Sequence, residues 1–358
     1  MRDLRKLLIL NCLALLSISN VQLTAQERYF YKGLGYGSES IYNPVSLILN
    51  GGYGILQYDG YSHDILHLPY RAGGDNVWRN LSDPFSVISR YGWKNFASHE
   101  LFPLSLNKKG AQWLPNYKLH LIGGGMSYRM MYEWYDQHHF KRPRILSIAT
   151  MGVYHYLNEV VENSDYRGDN VDPIADIYVF DVAGVALFSF NGVSRFFGER
   201  LNLSDWSMMP SFDIDEFTIQ NQGQNFSVRW KPSFTHKWRL FYYFGNLGLS
   251  GLSYSLTDST SISAACGARA KTRYVVDEAT HRQTVELVWN GGFFYDRNNS
   301  LMFSLLLSGM DEKRMNINVY PGFMHIWRLS PGLWLNADKN GRLMFGITTV
   351  WIPGLAVK

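Results

Sequence analysis

Ser261–Lys271 reads SISAACGARAK and Gln283–Tyr295 reads QTVELVWNGGFFY, and these two stretches decide the fold class. In the first, Ile262, Ala264, Cys266 and Ala268 oppose Ser263, Gly267, Arg269 and Lys271. In the second, Val285, Leu287 and Trp289 oppose Glu286 and Asn290. A two-residue period of this kind marks a β-strand with one apolar and one polar face. The rhythm returns in NFSVRWK (Asn225–Lys231) and in MNINV (Met315–Val319).

Working outward, strands are expected at Asn225–Lys231, His236–Gly245, Leu249–Leu256, Ser261–Val275, Gln283–Tyr295, Ser300–Ser308, Met315–Phe323, Gly332–Ala337 and Arg342–Pro353. Asp296-Arg297-Asn298-Asn299 and Asp338-Lys339-Asn340-Gly341 supply turns between them. Many of these segments suit the about 9–11 residues of a tilted membrane-spanning strand. Aromatic side chains crowd the strand ends, and the strands follow one another as hairpins. Both features favour an antiparallel outer-membrane-type β-barrel over a soluble sandwich.

The first residues, MRDLRKLLILNCLALLSISNVQLTAQE, combine a basic head, an apolar run from Leu7 to Ile18 and a short polar stretch. That layout predicts a signal peptide over 1–25, cleaved near Ala25, and export to the cell outer membrane. Cys12 follows Ile9-Leu10-Asn11 and predicts no lipid anchor, so the mature chain keeps Cys266 as its single cysteine. An intrachain disulfide and a four-cysteine zinc site are thereby excluded. The net charge of +4 draws partly on the basic leader and makes no case for nucleic acid, while 15% aromatic residues suit interfacial girdles. Beyond the leader there is no apolar run long enough for a helical span.

The mature chain divides into three. Residues 26–111 are expected to supply N-terminal barrel strands and loops, with strand, loop and strand over 28–62, a bend at Gly51-Gly52 and a helix around Leu81–Phe96. Residues 112–207 change to helical spacing and predict an insertion of about three helices. These run from Tyr117 to Asp136 through Gly123-Gly124-Gly125, from Ile145 to Glu162 behind Pro143, and from Asp172-Pro173 to Phe197. Residues 208–358 complete the barrel. The fold class is mainly β with an α-helical insertion, about 10–12 strands in all.

The polar residues that draw most notice lie in the insertion. His120 begins HLIGGG, His155 and Glu159 stand four apart on one helix face, and Asp172, Asp176 and Asp181 punctuate DPIADIYVFD. His120, His155, Glu159, Asp176 and Asp181 form the candidate catalytic cluster. A histidine–carboxylate set can ligate a divalent metal or orient a histidine base; equally, it can hydrogen-bond three helices together. Glu133 and Asn191 are further polar residues of the same block. No HExxH, GxSxG, phosphate loop or CxxC accompanies them, and no cofactor is implied. Gly33-Leu34-Gly35-Tyr36-Gly37 reads as a turn, His138-His139 with Lys141, Arg142 and Arg144 as a basic turn suited to anionic lipid or solvent, and Trp206 as an interfacial anchor or a core residue.

HLIGGGMSYRMMYEWYD, DPIADIYVFDVAGVALFSFNGVSRFF and LNLSDWSMMPSF together resemble a poorly characterised family of Gram-negative, Bacteroidota-type outer-membrane-associated proteins. The likeness centres on Asp176, Asp181 and Gly184 and on Asp205-Trp206, covers mainly residues 100–215, and implies location without any residue role. The expected function is a non-enzymatic outer-membrane β-barrel, structural or handling a lipid or small ligand. Its expected partners are membrane lipid and envelope proteins, not nucleic acid. The alternatives are a membrane-embedded lipid-modifying hydrolase or transferase using the histidine–carboxylate cluster, and a periplasmic accessory subunit of an envelope complex.

Overall fold

A computed structural model describes residues 27–103, 114–277, 282–350 and 352–357, so the expected signal peptide lies outside the described residues. The chain divides into two compact units. One comprises Pro69–Ser194 with Arg28 and Tyr274–Thr284, and the other comprises Tyr29–Leu68, Arg195–Arg273 and Val285–Lys358.

The second unit is built on one 13-stranded sheet. Three short strands, β1 (Ser204–Asp205), β2 (Ser211–Asp213) and β3 (Thr218–Gln220), precede β4 (Phe226–Trp230) and β5 (Trp238–Phe244). Then come β6 (Leu247–Ser255), β7 (Thr260–Asp277), β8 (Arg282–Arg297), β9 (Ser300–Ser308) and β10 (Met315–Val319). The last are β11 (Gly332–Ala337), β12 (Leu343–Thr348) and β13 (Gly354–Val357). Pairing runs β1-β4-β5-β6-β7-β8-β9-β10-β11-β12-β13-β2-β3. The β13–β2 pair is parallel, so the sheet is mixed, not purely antiparallel as expected. Its ends, β1 and β3, do not pair, and the sheet is not closed. β1 and β2 nevertheless lie on one stretch, Ser204–Asp213, whose first part pairs with β4 and whose second part pairs with β13. Trp206 N–H and Met208 N–H extend the first pairing, donating to Asn225 O and Gly223 O at 2.9 Å each.

Register shows which residues share a face. Phe293, Leu305, Ile317, Leu335, Phe345 and Val357 stand opposite one another from β8 to β13. Tyr295, Phe303, Val319, Leu333, Ile347 and Leu355 make a second row beside them. Between these rows, and pointing to the opposite face because strand side chains alternate, run Phe294, Ser304, Asn318, Trp334, Gly346 and Ala356. The in-between row is buried, whereas Phe345, Ile347 and Leu355 are exposed at 53%, 48% and 56%. Leu240 and Leu252, opposite one another on β5 and β6, are also half exposed, as are Trp230, Trp238 and Trp289.

The buried face is mixed in character. Trp206 packs on Phe241, Tyr243 and Phe294, and its indole N–H donates to Asn299 O at 2.8 Å. The Arg229 guanidinium lies 5.1 Å from the Trp206 ring, pairs with Asp296 and donates to Asn299 Oδ1 at 2.6 Å. Trp206 is thus a core residue rather than an interfacial anchor. Asn221, Asn316, Asn318 and Ser304 form a buried chain of side-chain hydrogen bonds.

Residues 28–62, expected as barrel strands, form short helices instead: Gly37–Ser40, Pro44–Gly52 and Gly54–Gln57. Asn43 caps the second of these through Ser46 N–H at 3.0 Å, with Pro44 in its first turn, so local capping chemistry outweighs a weak strand pattern. The segment packs on the buried face. Ser38 Oγ donates to Asp205 O, Asn50 Nδ2 to Met208 O and Asn246 Nδ2 to Gly54 O, while Ile41 joins the Trp206 cluster.

The first unit is helical, and it begins well before the expected residue 112. Pro84–Tyr91 and Trp93–Phe96 fall where a helix around Leu81–Phe96 was expected, while Tyr70–Ser82 covers a stretch for which no helix was expected. The expected first helix is Leu114–Gly124, wound as a wide π-helix, running into the α-helix Gly125–Gln137. The second is Pro143–Asn163. The third is Asp172–Ala175, a π-turn over Asp176–Asp181, and Val182–Ser189, with a sharp break before Asn191. Val77, Leu81, Val160, Ile174 and Phe180 anchor its apolar core. Among the described residues no single helix is long and apolar enough to cross a membrane; Asp172–Ser189 and Asn191–Arg200 pass only as a pair bent by 87°.

A Cβ at Gly346 would run into the Trp334 indole, whose N–H donates to Ser211 Oγ at 2.7 Å. Gly346→Val should therefore displace Trp334 and cost about 1–3 kcal/mol. Equilibrium unfolding monitored by tryptophan fluorescence measures this, and an unchanged midpoint counts against the packing.

Candidate functional site

Three helical segments of the first unit converge on one buried group of ionisable side chains. His120 comes from the π-helix Leu114–Gly124, His155 and Glu159 from Pro143–Asn163, and Asp176 and Asp181 from the π-turn Asp176–Asp181. Glycine makes the convergence possible. A Cβ on Gly184 would lie 2.8 Å from Leu121 O and 3.2 Å from His120 O, and one on Gly125 would lie 2.8 Å from Gly184 O. The two backbones therefore approach as only glycines permit. Gly124 faces His155 in the same way, with Cε1 3.1 Å from where a Cβ would stand. At that spacing even the short Asp181 side chain reaches both histidines.

The winding contributes too. Residues five apart lie about 140° apart around an α-helix, so Asp176 and Asp181 would diverge on a regular one. The wider i→i+5 turn observed there brings them much closer to one face. His155 and Glu159 need no such device, because four-residue spacing already puts them on one α-helical face.

The resulting geometry is a chain of contacts. His120 Nδ1 lies 3.2 Å from Asp181 Oδ1, and its Nε2 lies 3.3 Å from Asp176 Oδ2. His155 Nδ1 touches Asp181 Oδ2 in an ion-pair contact without hydrogen-bond alignment. The two imidazoles meet edge to face with ring centroids 4.9 Å apart. Two triads, His120/His155/Asp181 and His120/Glu159/Asp176, each have their donor atoms within 4.8 Å of one another. All five sequence-predicted residues are therefore brought together. Glu133 is not among them, because Arg129 Nε pairs with it at 2.9 Å. His138 is also apart, stacked on Trp134 with ring centroids 4.0 Å apart.

Burial and mutual repulsion set the charge states. Burial, then the nearby carboxylates Asp172 and Asp181, push Asp176 well above the usual carboxylate range. Burial, then Asp176, Glu162 and Asp172, do the same to Glu159. Burial alone would also raise Asp181, but His155 and His120 outweigh it and hold that carboxyl low. Burial opposes charging of His120, yet Asp181, Glu159 and Asp172 prevail and raise it. For His155 burial wins over the attraction of Asp181, so this ring is held below its ordinary value. Such a set can relay a proton along Asp176–His120–Asp181–His155 or hold a cation in place of protons. Glu100 and Glu162 enter the field at Asp176 without having been anticipated; Glu162 was findable, standing three residues after Glu159 on the same helix face, whereas Glu100 comes from a separate segment.

No family model, curated protein or solved structure matches this chain, so the family resemblance rests on the quoted residues alone.

The signs of these shifts define a pH response. Raised carboxyls such as Glu159 and Asp176 stabilise the fold fully below the ordinary value of about 4 and lose that contribution as pH climbs through their raised values. The lowered Asp181 acts oppositely, contributing above about 4 and failing only in acid. In the presence of a chelator, the melting temperature of the wild type should fall as pH rises from about 5. The Glu159→Gln/Asp176→Asn variant should show a flatter profile by circular dichroism. Parallel profiles would contradict the assigned charge states.

Proposed function

We propose that this chain is an outer-membrane β-barrel protein whose sheet faces lipid with its exposed rows and encloses the Tyr29–Leu68 segment. One observation carries the reading: the sheet turns a band of apolar side chains outward, while ionic and amide groups share its buried face with the aromatic cluster. The outward rows from β8 to β13 are Phe, Leu, Ile, Val and Tyr, exposed at Phe293, Phe345, Ile347 and Leu355 and half-buried elsewhere, while the buried face contains Arg229, Asp296, Ser304, Asn316 and Asn318. Monomeric soluble proteins rarely expose contiguous apolar patches beyond a few hundred Å². Lipid-facing barrel walls consist of such bands, with polar residues turned inward.

Closure is part of the proposal. The Ser204–Asp213 stretch pairs with β4 at one end and β13 at the other, which supports a wall completed through that stretch. Closure matters physically because hydrocarbon offers unpaired strand edges no hydrogen-bond partner. Export by the leader and membrane lipid as partner belong to the same reading.

The test places an arginine in the outward rows. Ile317→Arg and Phe345→Arg should each cost about 2–4 kcal/mol at the bilayer midplane, abolishing heat-modifiable gel mobility and outer-membrane fractionation. Asn340→Arg, in the β11–β12 turn, should leave both intact. A wild-type chain fully soluble after mild lysis would sink the reading.

A second reading, a lipid-modifying hydrolase or transferase anchored by the same wall, is favoured by the meeting of His120, His155, Glu159, Asp176 and Asp181. It expects altered envelope lipids on overexpression and none with His155→Ala, compared by mass spectrometry. Identical lipid profiles would remove it.

A further inference from the structure

The helical unit holds a feature that a membrane wall does not require. Five ionisable side chains from three helical segments meet in its interior, and not all of their polar atoms find protein partners. Asp176 is 4% exposed, and its Oδ1 has no hydrogen-bond partner among the described residues. His155 is 3% exposed, and its Nδ1 is pressed against Asp181 Oδ2. An orphaned buried oxygen beside a crowded histidine–carboxylate contact is costly unless something else binds there.

We infer that His120, His155 and Asp181 hold a divalent transition-metal ion, with Asp176 and Glu159 behind His120 on its other ring nitrogen. One ligand pair already stands at the right spacing. Donors bound about 2.0–2.2 Å from a zinc ion stand roughly 3.2–3.6 Å apart, and His120 Nδ1 and Asp181 Oδ1 are 3.2 Å apart. An ion seated between His155 Nδ1 and Asp181 Oδ2 separates those two atoms and satisfies both. The second nitrogen of His120 faces Asp176 Oδ2 at 3.3 Å, the carboxylate–histidine arrangement that fixes the ring of a metal-bound histidine. Two imidazoles favour a transition metal over magnesium or calcium, which prefer all-oxygen sites. Three protein ligands leave a position for water or a substrate oxygen, the layout of a catalytic site rather than a closed structural one. The cluster draws every ligand from the helical unit, so the inference stands independently of the membrane reading.

The test uses the full mature chain purified in detergent, stripped with chelator, reloaded with Zn²⁺ and desalted. Elemental analysis should give one zinc per chain for the wild type and for His138→Ala. Calorimetric titration should show Zn²⁺ affinity at least tenfold weaker in Asp181→Asn and 10–100-fold weaker in Asp176→Asn. As a check independent of lost binding, His155→Cys loaded with Co²⁺ should gain a thiolate-to-cobalt charge-transfer band absent from the wild type. No stoichiometric zinc in the wild type, affinity unchanged in Asp181→Asn, or no charge-transfer band in His155→Cys overturns the assignment. Mg²⁺ binding as tightly as Zn²⁺ overturns the transition-metal class. A protein that binds one zinc yet proves soluble overturns the barrel and leaves the metal site standing.

Discussion

A sheet that turns its oily side outward is stable only where something other than water covers that side. Under the proposed membrane reading, much of the sheet unit answers to this constraint. Once Phe293, Leu305, Ile317, Leu335 and Phe345 face out, the alternating residues must face in, and these include Ser304, Asn318 and Trp334. The inward polar groups then need partners, which the asparagine chain of Asn221, Asn316 and Asn318 supplies among itself. The Arg229–Asp296 pair needs its own support, and Asn299 and the Trp206 ring provide it. Burying a charge is costly unless it is both paired and hydrogen-bonded, and here both conditions hold.

The same logic places Tyr29–Leu68. A buried face that carries hydroxyls and amides beside an aromatic cluster is filled best by a segment that offers backbone and side-chain polar groups as well as apolar ones. Short capped helices do this: Ser38, Asn50 and Gly54 reach Asp205, Met208 and Asn246, while Ile41 contacts the aromatic cluster. Extended strands would have needed pairing edges, which the long strands of the sheet already use on one another.

The helical unit solves a different problem, that of assembling several charges away from water. Close helix contact at Gly125 and Gly184 and the widened turn at Asp176–Asp181 bring short side chains within reach. The energetic strain is expressed as displaced proton affinities, with Asp176 and Glu159 pushed up and Asp181 held down by its two histidines. A site built this way favours a cation, or protons, over an empty interior.

The strands of the C-terminal part were legible because period-two alternation is a local property. Ser300–Ser308 and Gly332–Ala337 fall where alternation and turns place them. His155 and Glu159 were legible for a similar reason, since four-residue spacing fixes a shared face on any helix. The helices of 37–57 were not, because Asn43-Pro44 and Ser46 form a cap whose weight against an aromatic, glycine-rich strand pattern is settled by what the segment packs on. The single helix expected from Asp172 to Phe197 was likewise broken up, since a π-turn and a sharp bend leave no periodic signature. The amino-acid order by itself therefore determined the alternation and which residue types were available for chemistry. Only the tertiary structure decided which face of the sheet is buried, that Ser204–Asp213 meets both β4 and β13, and that five ionisable groups spread over 62 positions from His120 to Asp181 meet at one point. The reason is that face, strand pairing and convergence depend on long-range packing, and no spacing along the chain encodes how closely two helix backbones can approach.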